Sequence, residues 1–489
     1  MSKNLKIVFS VLGWLAGIIS FYIGLNASGI PEIYQVIILG SLFYIGIAVF
    51  AFLKAKDIGK EIGIEIGKEI GKKIGIEIGK EIGIRISKEL LPKPPELPGQ
   101  YFIGIDLGRL KIKYCLIDYN KFKNNPNSPD VKIVKDREEN TPQQIGHIYQ
   151  VLGKIIADVS QQAKDKNVHQ IDGLGLGLPG QVNPKEGILI RSPGFPNIVN
   201  LPFTDDFSRH IRTNLQGSIQ HPEILRDDFR IKIDNDVRCA TRYLWKRMRF
   251  DDGICIFVGN GLGSGIVLGN QMLYGHDFMA GEIGHTTICS MGYDLLRGDL
   301  CKCEKEGHHW EMYCSSYGMI NIAKKLNFNE YDRLKHDYAT IKQKEEYQRL
   351  LEESVFKEHS SDHFDKNGEL TSYFFSLAFH AGEHYACEVV KKYIKYLAIG
   401  IANYINVINP QIIYLGGGMI EGFYTDKGPI NTGHLLHTEV EKYILPSASR
   451  VTIKKLEYEE RTIANIGAAF IFKDLSYFNY QSMPEREKP

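Results

Sequence analysis

The most informative part of the chain is three short segments that read Gly281-Glu-Ile-Gly-His285, Cys301-Lys-Cys303 and His308-His-Trp-Glu311. They bring carboxylates, thiols and imidazoles close together along the chain. A glycine-rich run, Gly259-Asn-Gly-Leu-Gly-Ser-Gly265, precedes them. Thiolates and imidazoles are the ligands that zinc prefers, and glycine-rich turns can bind phosphate. The segments therefore predict a functional centre with a structural metal beside it.

Four side chains form the predicted zinc site: His285, Cys301, Cys303 and His309. The 489-residue chain has 8 cysteines, and Cys301 and Cys303 are too close together for an ordinary disulfide framework. Reduced core cysteines are the alternative. The adjacent His308 leaves the fourth ligand open between His308 and His309. Because four protein ligands leave no open coordination position, the predicted zinc is structural.

Glycines are the second signal, because glycine permits positive φ and lets backbone N–H groups close on phosphate oxygens. Four glycines lie between two β-rich runs: Gly259, Gly261, Gly263 and Gly265. Gly416–Gly418 follows a third β-rich run. We predict that the first four, together with Gly417 and Gly418, contact phosphate. A glycine-rich hairpin without a ligand is the alternative.

From about Gln100 the sequence alternates buried-strand runs with helical periodicity, which predicts an α/β fold. Asn120–Thr141 is predicted as an extended hairpin loop, and Lys325–Leu370 as a surface helical insertion. The predicted helix is Tyr385–Ile408, and the predicted strands are Tyr101–Ile105, Lys111–Ile117, Ile171–Leu178, Ile231–Ile233, Ile254–Val258, Gly265–Leu268 and Gln411–Leu415.

A pair of polar residues, Asn235-Asp236, follows the predicted strand Ile231–Ile233. A carboxylate at the end of a strand is well placed to accept a proton from a substrate hydroxyl. The same pair would also suit an Asx turn that only caps the chain. Both interpretations remain open from these residues alone.

Two apolar runs open the chain, at about 7–25 and 33–53, and neither contains a charged residue. Each is long enough to cross ~30 Å of hydrocarbon. Lys3, Lys6, Lys54 and Lys56 flank the outer ends, so the positive-inside rule places both ends in the cytoplasm. We predict a multi-pass membrane protein, with a two-span transmembrane hairpin over 1–56 and a cytoplasmic catalytic domain. A signal peptide is the alternative.

Residues 57–91 repeat Ile and Gly at every fourth position. A period of four drifts around a helix, while Gly-x-x-x-Gly spacing lets a neighbouring helix approach closely. We predict a helical stalk that makes the protein a homo-oligomer; a strand, or a spacer with no role beyond length, is the alternative. A proline-rich linker over 92–99 separates the stalk from the predicted domain over 100–489.

The order of these motifs is similar to that of the ROK sugar-kinase family, over about Tyr101–Leu475. The resemblance implies an actin-like, ribonuclease-H-like α/β fold. Its two lobes would flank a cleft, with lobe one at about 100–235 plus a last helix at 463–475, and lobe two at about 236–460. The matching pieces are Asp106-Leu-Gly108, Gly175-Leu-Gly-Leu-Pro-Gly180, Asn235-Asp236, Gly259–Gly265, Gly281–His285, Cys301-x-Cys303, His309-Trp-Glu311 and Gly416–Gly418.

The resemblance implies an enzyme that transfers phosphate from ATP, with Mg²⁺, to a hydroxyl of a hexose or an N-acetylhexosamine. Asp236 would be the general base. The implied sugar contacts are Asn235, Glu282, His285 and Glu311, with Asn197 near the position of another. The implied phosphate contacts are Asp106, Gly108 and Lys111 with the glycines named above.

The chain departs from the family pattern at Arg109 and Leu110, which replace a glycine and a hydroxyl residue, and at Val237-Arg238 directly after Asp236. Arg109 would pair with phosphate, block it or point to solvent. The alternative function is a membrane-tethered sugar sensor or scaffold without catalysis. A net charge of +1 and the lack of a helix-turn-helix pattern argue against nucleic acid as a partner.

Overall fold

A computed structural model describes the chain from Gln100 to Asp474. Within that range it leaves out 129–130, 196, 215–221, 289–300, 302, 304–307, 346–347, 350–362, 449 and 458–462. The predicted hairpin over 1–56, the stalk over 57–91 and the linker over 92–99 all lie outside the described residues.

Among the described residues, no helix combines the length and the apolar character that a membrane span requires. The two longest helices, Ile145–Asp165 and His384–Ile408, expose charged side chains such as Lys154, Lys391 and Lys395. This finding contradicts the predicted localisation as a two-span membrane protein, and that prediction is corrected accordingly.

The strands of the described chain form three sheets. In chain order they are β1 (Tyr101–Leu107), β2 (Lys111–Asp118), β3 (Lys132–Asn140), β4 (Ile171–Leu178), β5 (Gln181–Asn183), β6 (Ile188–Arg191), β7 (Val199–Leu201), β8 (Leu225–Asn235), β9 (Gly253–Val258), β10 (Leu262–Leu268), β11 (Gln271–Met272), β12 (Ile412–Gly416) and β13 (Thr452–Lys455).

Helices connect and cover these strands. They are α1 (Tyr119–Asn124), α2 (Ile145–Asp165), α3 (Phe203–Asn214), α4 (Asp236–Met248), α5 (Glu311–Cys314), α6 (Ser316–Leu326), α7 (Phe328–His336), α8 (Tyr338–Lys342), α9 (Ser372–His380), α10 (His384–Ile408), α11 (Gly418–Phe423), α12 (Thr432–Glu441) and α13 (Ala464–Ala469). Short 3₁₀ turns lie at Pro222–Ile224, Ile283–His285, Pro446–Ala448 and Phe470–Lys473.

The two five-stranded sheets repeat one topology. Their strand orders are β3-β2-β1-β4-β8 and β11-β10-β9-β12-β13. In each, the first three strands pair antiparallel and the last three pair parallel. The duplicated pattern confirms the actin-like α/β fold with two lobes. The small sheet β5-β6-β7 belongs to the first half of the chain.

Glycines let the helices lie directly on the first sheet and on one another. A Cβ at Gly104 would be 1.9 Å from the Asn465 carbonyl oxygen, and one at Gly175 would be 2.0 Å from that of Ala468. A Cβ at Gly467 would be 1.7 Å from the carbonyl oxygen of Cys239. Helix α13 thus packs on β1 and β4 and also against α4, the helix that follows β8.

The predicted core strands and the long helix α10 are confirmed, whereas the segment Asn120–Thr141 is not the hairpin loop we predicted. It contains α1 and the nine-residue edge strand β3. Only Val134 of β3 is buried. Because an edge strand pairs on one side and faces water, its composition resembles that of a loop. The predicted insertion at Lys325–Leu370 begins with α7 and α8, and 350–362 lies outside the described residues.

Candidate active site

Asp236 is the first residue of α4, directly after the edge strand β8. Asn235 caps this helix: its Oδ1 accepts from the Arg238 N–H at 3.0 Å, and its Nδ2 donates to the Gly180 carbonyl at 3.0 Å. Asp236 Oδ1 accepts from Asn235 Nδ2 at 2.9 Å and from the Val237 N–H at 2.8 Å. Both of these hydrogen bonds go to Oδ1.

The electrostatic surroundings favour the protonated form of Asp236. Its surface is only half-buried, but protein atoms surround the carboxylate densely. Burial, with the negative charges of Asp106 and Glu282, raises the pKa of Asp236 to about 7, although the Val237 N–H lowers it. Burial also raises the pKa of Asp106 to about 6, against the lowering by Lys113. A carboxylate with a pKa near neutrality is suited to general base catalysis.

A tight turn brings Glu282 to the same region. Gly281 has a φ of 98°, and a Cβ there would be 2.4 Å from the Ser264 carbonyl oxygen. A Cβ at Gly284 would be 2.2 Å from the carbonyl oxygen of Leu262. The Ser264 hydroxyl donates to the Gly281 carbonyl at 2.9 Å. The two glycines therefore let the turn lie directly on β10, which fixes the direction of Glu282.

The imidazole of His285 stands between two carboxylates. Its Nε2 is 4.0 Å from Glu282 Oε2, and its Nδ1 is 4.0 Å from Glu311 Oε1. Burial raises the pKa of Glu282, whereas the nearby His285 and Arg238 lower it and Glu311 raises it further. The arrangement offers a row of acceptors and donors that suits sugar hydroxyls.

The predicted metal ligands come together. The ligand atoms of His285, Cys301, Cys303 and His309 all lie within 4.8 Å of one another. Cys301 Sγ is 3.8 Å from His285 Nδ1, and Cys303 Sγ is 3.5 Å from His309 Nδ1. Two thiols and two imidazoles at this spacing fit a tetrahedral zinc ion. Of the two adjacent histidines, His309 belongs to this group of four ligand residues and His308 does not.

Glu311 connects this cluster to the glycine turn. It is 8% exposed, and its Oε1 accepts from Cys301 Sγ at 3.0 Å and from the Tyr317 hydroxyl at 3.2 Å. A Cβ at Gly261 would lie 3.3 Å from Glu311 Oε2. The metal cluster and the turn between β9 and β10 are therefore neighbours.

Two glycines of that turn have a packing role that we did not predict, and the contact of all four with phosphate remains a prediction. Gly259, Gly261, Gly263 and Gly265 all have φ outside the left-handed region. A Cβ at Gly263 would be 3.1 Å from Val237 Cγ2, and one at Gly265 would be 2.2 Å from the Thr241 hydroxyl oxygen. These two glycines let β10 approach α4. The expectation that positive φ explains them is wrong.

In the later glycine pair, Gly417 does have the expected positive φ. Gly417 has a φ of 91°, and a Cβ there would be 2.4 Å from the Val258 carbonyl oxygen. Gly418 starts α11 with open space around it. A side chain at Gly417, at the end of β12, would therefore have a strained backbone and would clash with the Val258 carbonyl. The contact of Gly417 and Gly418 with phosphate remains a prediction.

The turn between β1 and β2 carries the remaining predicted phosphate contacts. The Gly108 carbonyl accepts from the Thr141 hydroxyl at 2.8 Å, and Lys111 Nζ forms an exposed ion pair with Glu138 at 3.0 Å. Arg109 is exposed, and Leu110 is 73% exposed. Arg109 therefore does not fill a buried space between the strands.

Asn197, the more distant of the predicted sugar contacts, is exposed just before β7. The structure gives no hydrogen bond that joins it to Asn235 or Asp236 within the described chain. Its contact with a sugar remains a prediction.

Sequence reasoning missed a buried charge cluster directly beneath the candidate base. It consists of Asp234, Arg238, Arg242, Tyr274 and Asp474. Burial alone would raise the pKa of Asp234, but the two arginines hold it below its usual value. The spacing of four residues from Asp234 to Arg238 and from Arg238 to Arg242 is the signal that could have revealed it.

The sequence model of the ROK family matches residues 102–474, which is well over half of the chain. The chain belongs to the ROK family. The fold and the grouping of the motifs described above agree with this membership.

Curated ROK relatives are similar over most of their own length. The chain is 27% identical to a glucokinase of Halalkalibacterium halodurans over 359 residues, which is 71% of this chain and 87% of that protein. It is 25% identical to an N-acetyl-D-glucosamine kinase of Pasteurella multocida over 307 residues, 61% of this chain and 80% of that protein.

A solved structure supports the fold. The ROK family glucokinase from Streptomyces griseus, in complex with glucose and AMPPNP, superposes with a TM-score of 0.51 at 19% identity. The match covers 76% of this chain and 98% of that one. At this identity the likeness establishes the fold alone.

Proposed function

We propose that this ROK chain is an ATP-dependent sugar kinase that phosphorylates a hydroxyl of a hexose or an N-acetylhexosamine. The observation that carries the proposal is Asp236, a carboxylate at a helix N-terminus with one oxygen held by the chain and with a pKa raised to about 7. The glucokinase and N-acetyl-D-glucosamine kinase relatives support this enzyme class.

In this function Asp236 Oδ2 accepts the proton of the sugar hydroxyl as the hydroxyl oxygen bonds to the γ-phosphorus of ATP, and the bond from that phosphorus to the β,γ-bridging oxygen breaks to release ADP. Asn235 and the Val237 N–H hold Oδ1, so the base is oriented before the sugar arrives. Glu282 and His285 fix the sugar from the other side. Phosphoryl transfer depends mainly on such positioning and on neutralisation of phosphate charge.

We propose that Asp106, on β1, takes part in binding Mg²⁺, while Asp236, at the start of α4, remains the base. The negative charge of Asp106 contributes to the raised pKa of Asp236. Mg²⁺ bound there would neutralise charge on the phosphates of ATP. We propose the glycine-rich turn at Gly259–Gly265 and the pair Gly417-Gly418 as the nearby phosphate contacts.

Activity is expected to fall as the pH drops through about 7, because Asp236 accepts a proton only when it is ionised. Its pKa is about 7 rather than the ordinary 3.8, so kcat/KM should rise with pH below about 7 and level off above it.

Asp106→Asn removes a negative charge that raises the pKa of Asp236, so the midpoint of the pH profile of this variant should move to lower pH. A pH profile of each protein checks this, with the exposed Glu139→Gln as the control. A midpoint near 4 in the unaltered protein would contradict the account.

We also propose one structural zinc ion, held by His285, Cys301, Cys303 and His309. A zinc-bound Cys301 thiolate has no proton to donate, which would free Glu311 Oε1 from the bond seen at 3.0 Å. The Tyr317 hydroxyl would then be the remaining donor to Oε1, at 3.2 Å.

Cys303→Ser is expected to lose the zinc and to lower thermal stability, because binding of a structural metal is coupled to folding. Cys387→Ser, which changes a half-buried cysteine on α10, is the matched control and should keep the metal. Elemental analysis of the purified variants measures their zinc content, and thermal unfolding measures their stability. If the unaltered protein contains no zinc and is equally stable after chelation, the site is wrong. If His308→Ala loses zinc and His309→Ala keeps it, the fourth ligand must be reassigned.

Sugar-dependent release of ADP by the full chain tests the proposed function. A screen over hexoses and N-acetylhexosamines should reveal at least one sugar that stimulates release. Sugar binding without any ADP release would instead favour the non-catalytic sensor.

A further inference from the structure

One buried guanidinium, that of Arg238, bonds to three separate parts of the chain. Arg238 is 3% exposed, and its Nε donates to Asp234 Oδ1 at 2.7 Å. Its Nη1 donates to the Phe278 carbonyl at 2.8 Å, and its Nη2 donates to the Val182 carbonyl at 3.0 Å. These partners lie at the end of β8, in the loop after β11 and in β5. The planar fork of arginine allows this, whereas the single ammonium of lysine does not.

The Phe278 carbonyl belongs to the loop that delivers Glu282. Phe278 has a φ of 59°, which residues with a side chain rarely adopt. Such a conformation persists only where its surroundings hold it in place. The Ala280 N–H donates to the Tyr274 carbonyl at 3.0 Å across the same loop, and the Glu282 N–H donates to the Met279 carbonyl at 3.4 Å. The bond from Arg238 therefore holds the carbonyl from which the turn to Glu282 begins.

Arg238 is also bonded to the turn that carries the base. Its own N–H donates to Asn235 Oδ1 at 3.0 Å. Asp234 Oδ1, which accepts from Arg238 Nε, accepts from the Asn235 N–H at 2.8 Å as well. One residue thus connects the segment before Asp236 to the segment before Glu282.

We propose that Arg238 is a positioning residue that fixes Glu282 relative to Asp236 and thereby sets the affinity for sugar. The inference rests on the proposed sugar-kinase function. Arg238 is buried, so it acts through Glu282 and Asn235 and does not touch the sugar.

Arg242, one helical turn later, provides a matched control. Its Nη2 donates to Asp234 Oδ2 at 2.5 Å, so it belongs to the same buried cluster. Its other bonds include those to the side chains of Asp474, at 2.8 Å, and Tyr274, at 2.8 Å. None of the bonds described for it goes to the Phe278 carbonyl. A change at Arg242 should therefore weaken the fold without the specific effect on sugar.

The test compares the full-length chain with Arg238→Lys, Arg238→Gln and Arg242→Lys. Thermal unfolding first establishes that each variant is folded. Calorimetry without nucleotide then gives the Kd for the sugar, and steady-state kinetics give kcat and the KM of each substrate. Arg238→Lys is the milder change, because lysine retains a positive charge beside Asp234.

Both Arg238 variants are expected to raise the Kd and the KM for sugar by roughly ten- to a hundredfold, since small misplacements at an active site have effects of this size. The KM for ATP should stay within about twofold of the original. Arg242→Lys should lower the unfolding temperature and leave the sugar Kd nearly unchanged.

The inference is overturned if a folded Arg238→Lys or Arg238→Gln binds sugar as the unaltered chain does. It is also overturned if Arg242→Lys weakens sugar binding equally, because the cluster would then act only through general stability. A chain that binds sugar but phosphorylates none contradicts the proposed function and leaves the binding measurement as the test of Arg238. A chain that does neither overturns both.

Discussion

Asp236→Asn is expected to lose sugar phosphorylation by roughly 10²–10⁴-fold while it still binds sugar, as the removal of a general base generally does. The amide has the size of the carboxylate, and its oxygen can still accept from Asn235 Nδ2 and the Val237 N–H, which now bond to Oδ1 at 2.9 and 2.8 Å. The helix start should therefore keep its geometry. The second position becomes an NH₂ group, which cannot accept a proton from the sugar.

Turnover and the sugar Kd are both needed to interpret this variant. Asp251→Asn, which changes an exposed aspartate before β9, is the matched control and should keep full activity. Turnover of Asp236→Asn within a few-fold of the original would show that another group is the base. Loss of sugar binding together with turnover would show instead that the substitution has damaged the pocket.

Gly467→Val is expected to destabilise the protein by about 3 kcal/mol, because it inserts a side chain into a closely packed contact. The new Cβ would lie 1.7 Å from the Cys239 carbonyl oxygen and 2.5 Å from its carbon. Both are backbone atoms, so no rotamer change relieves the clash. Helix α13 would have to move away from α4, and α4 begins with Asp236. Activity should therefore fall with stability.

Denaturant unfolding measures this effect. Gly146→Val is the matched control, since Gly146 is also helical and a Cβ there meets no atom within 4 Å. It should change stability by less than about 1 kcal/mol, as most exposed substitutions do. If the two valine variants are equally stable, the close packing of α13 on α4 is not what stabilises this part of the fold.

The sequence was sufficient to predict the strands that are covered on both faces of their sheet. Strands β1, β4 and β9 are nearly continuous apolar runs, as expected of central strands covered on both faces. Strand β3 was missed because most of its side chains face water. Whether a strand can be predicted from sequence therefore depends on how many of its side chains the whole fold buries.

The same contrast applies to the site. The grouping of the four metal-ligating residues was predictable because it depends on residue type and spacing, whereas the role of Asp236 as base was implied only by the family resemblance and remains a prediction. The role of Gly263 and Gly265 was not predictable, since their constraint comes from Val237 and Thr241 on another element. The hydrogen bonds from Arg238 to the Val182 and Phe278 carbonyls could not be predicted either, because both acceptors are backbone atoms distant in sequence.

The central claim is that the chain transfers the γ-phosphoryl group of ATP to a sugar hydroxyl. Mass spectrometry of the sugar after incubation with the full chain, Mg²⁺ and γ-¹⁸O-labelled ATP tests it most directly. The account predicts a sugar phosphate that carries the label, formed by the unaltered chain and not by Asp236→Asn. Unchanged sugar in every reaction, with the hexoses and N-acetylhexosamines shown by calorimetry to bind, would contradict it.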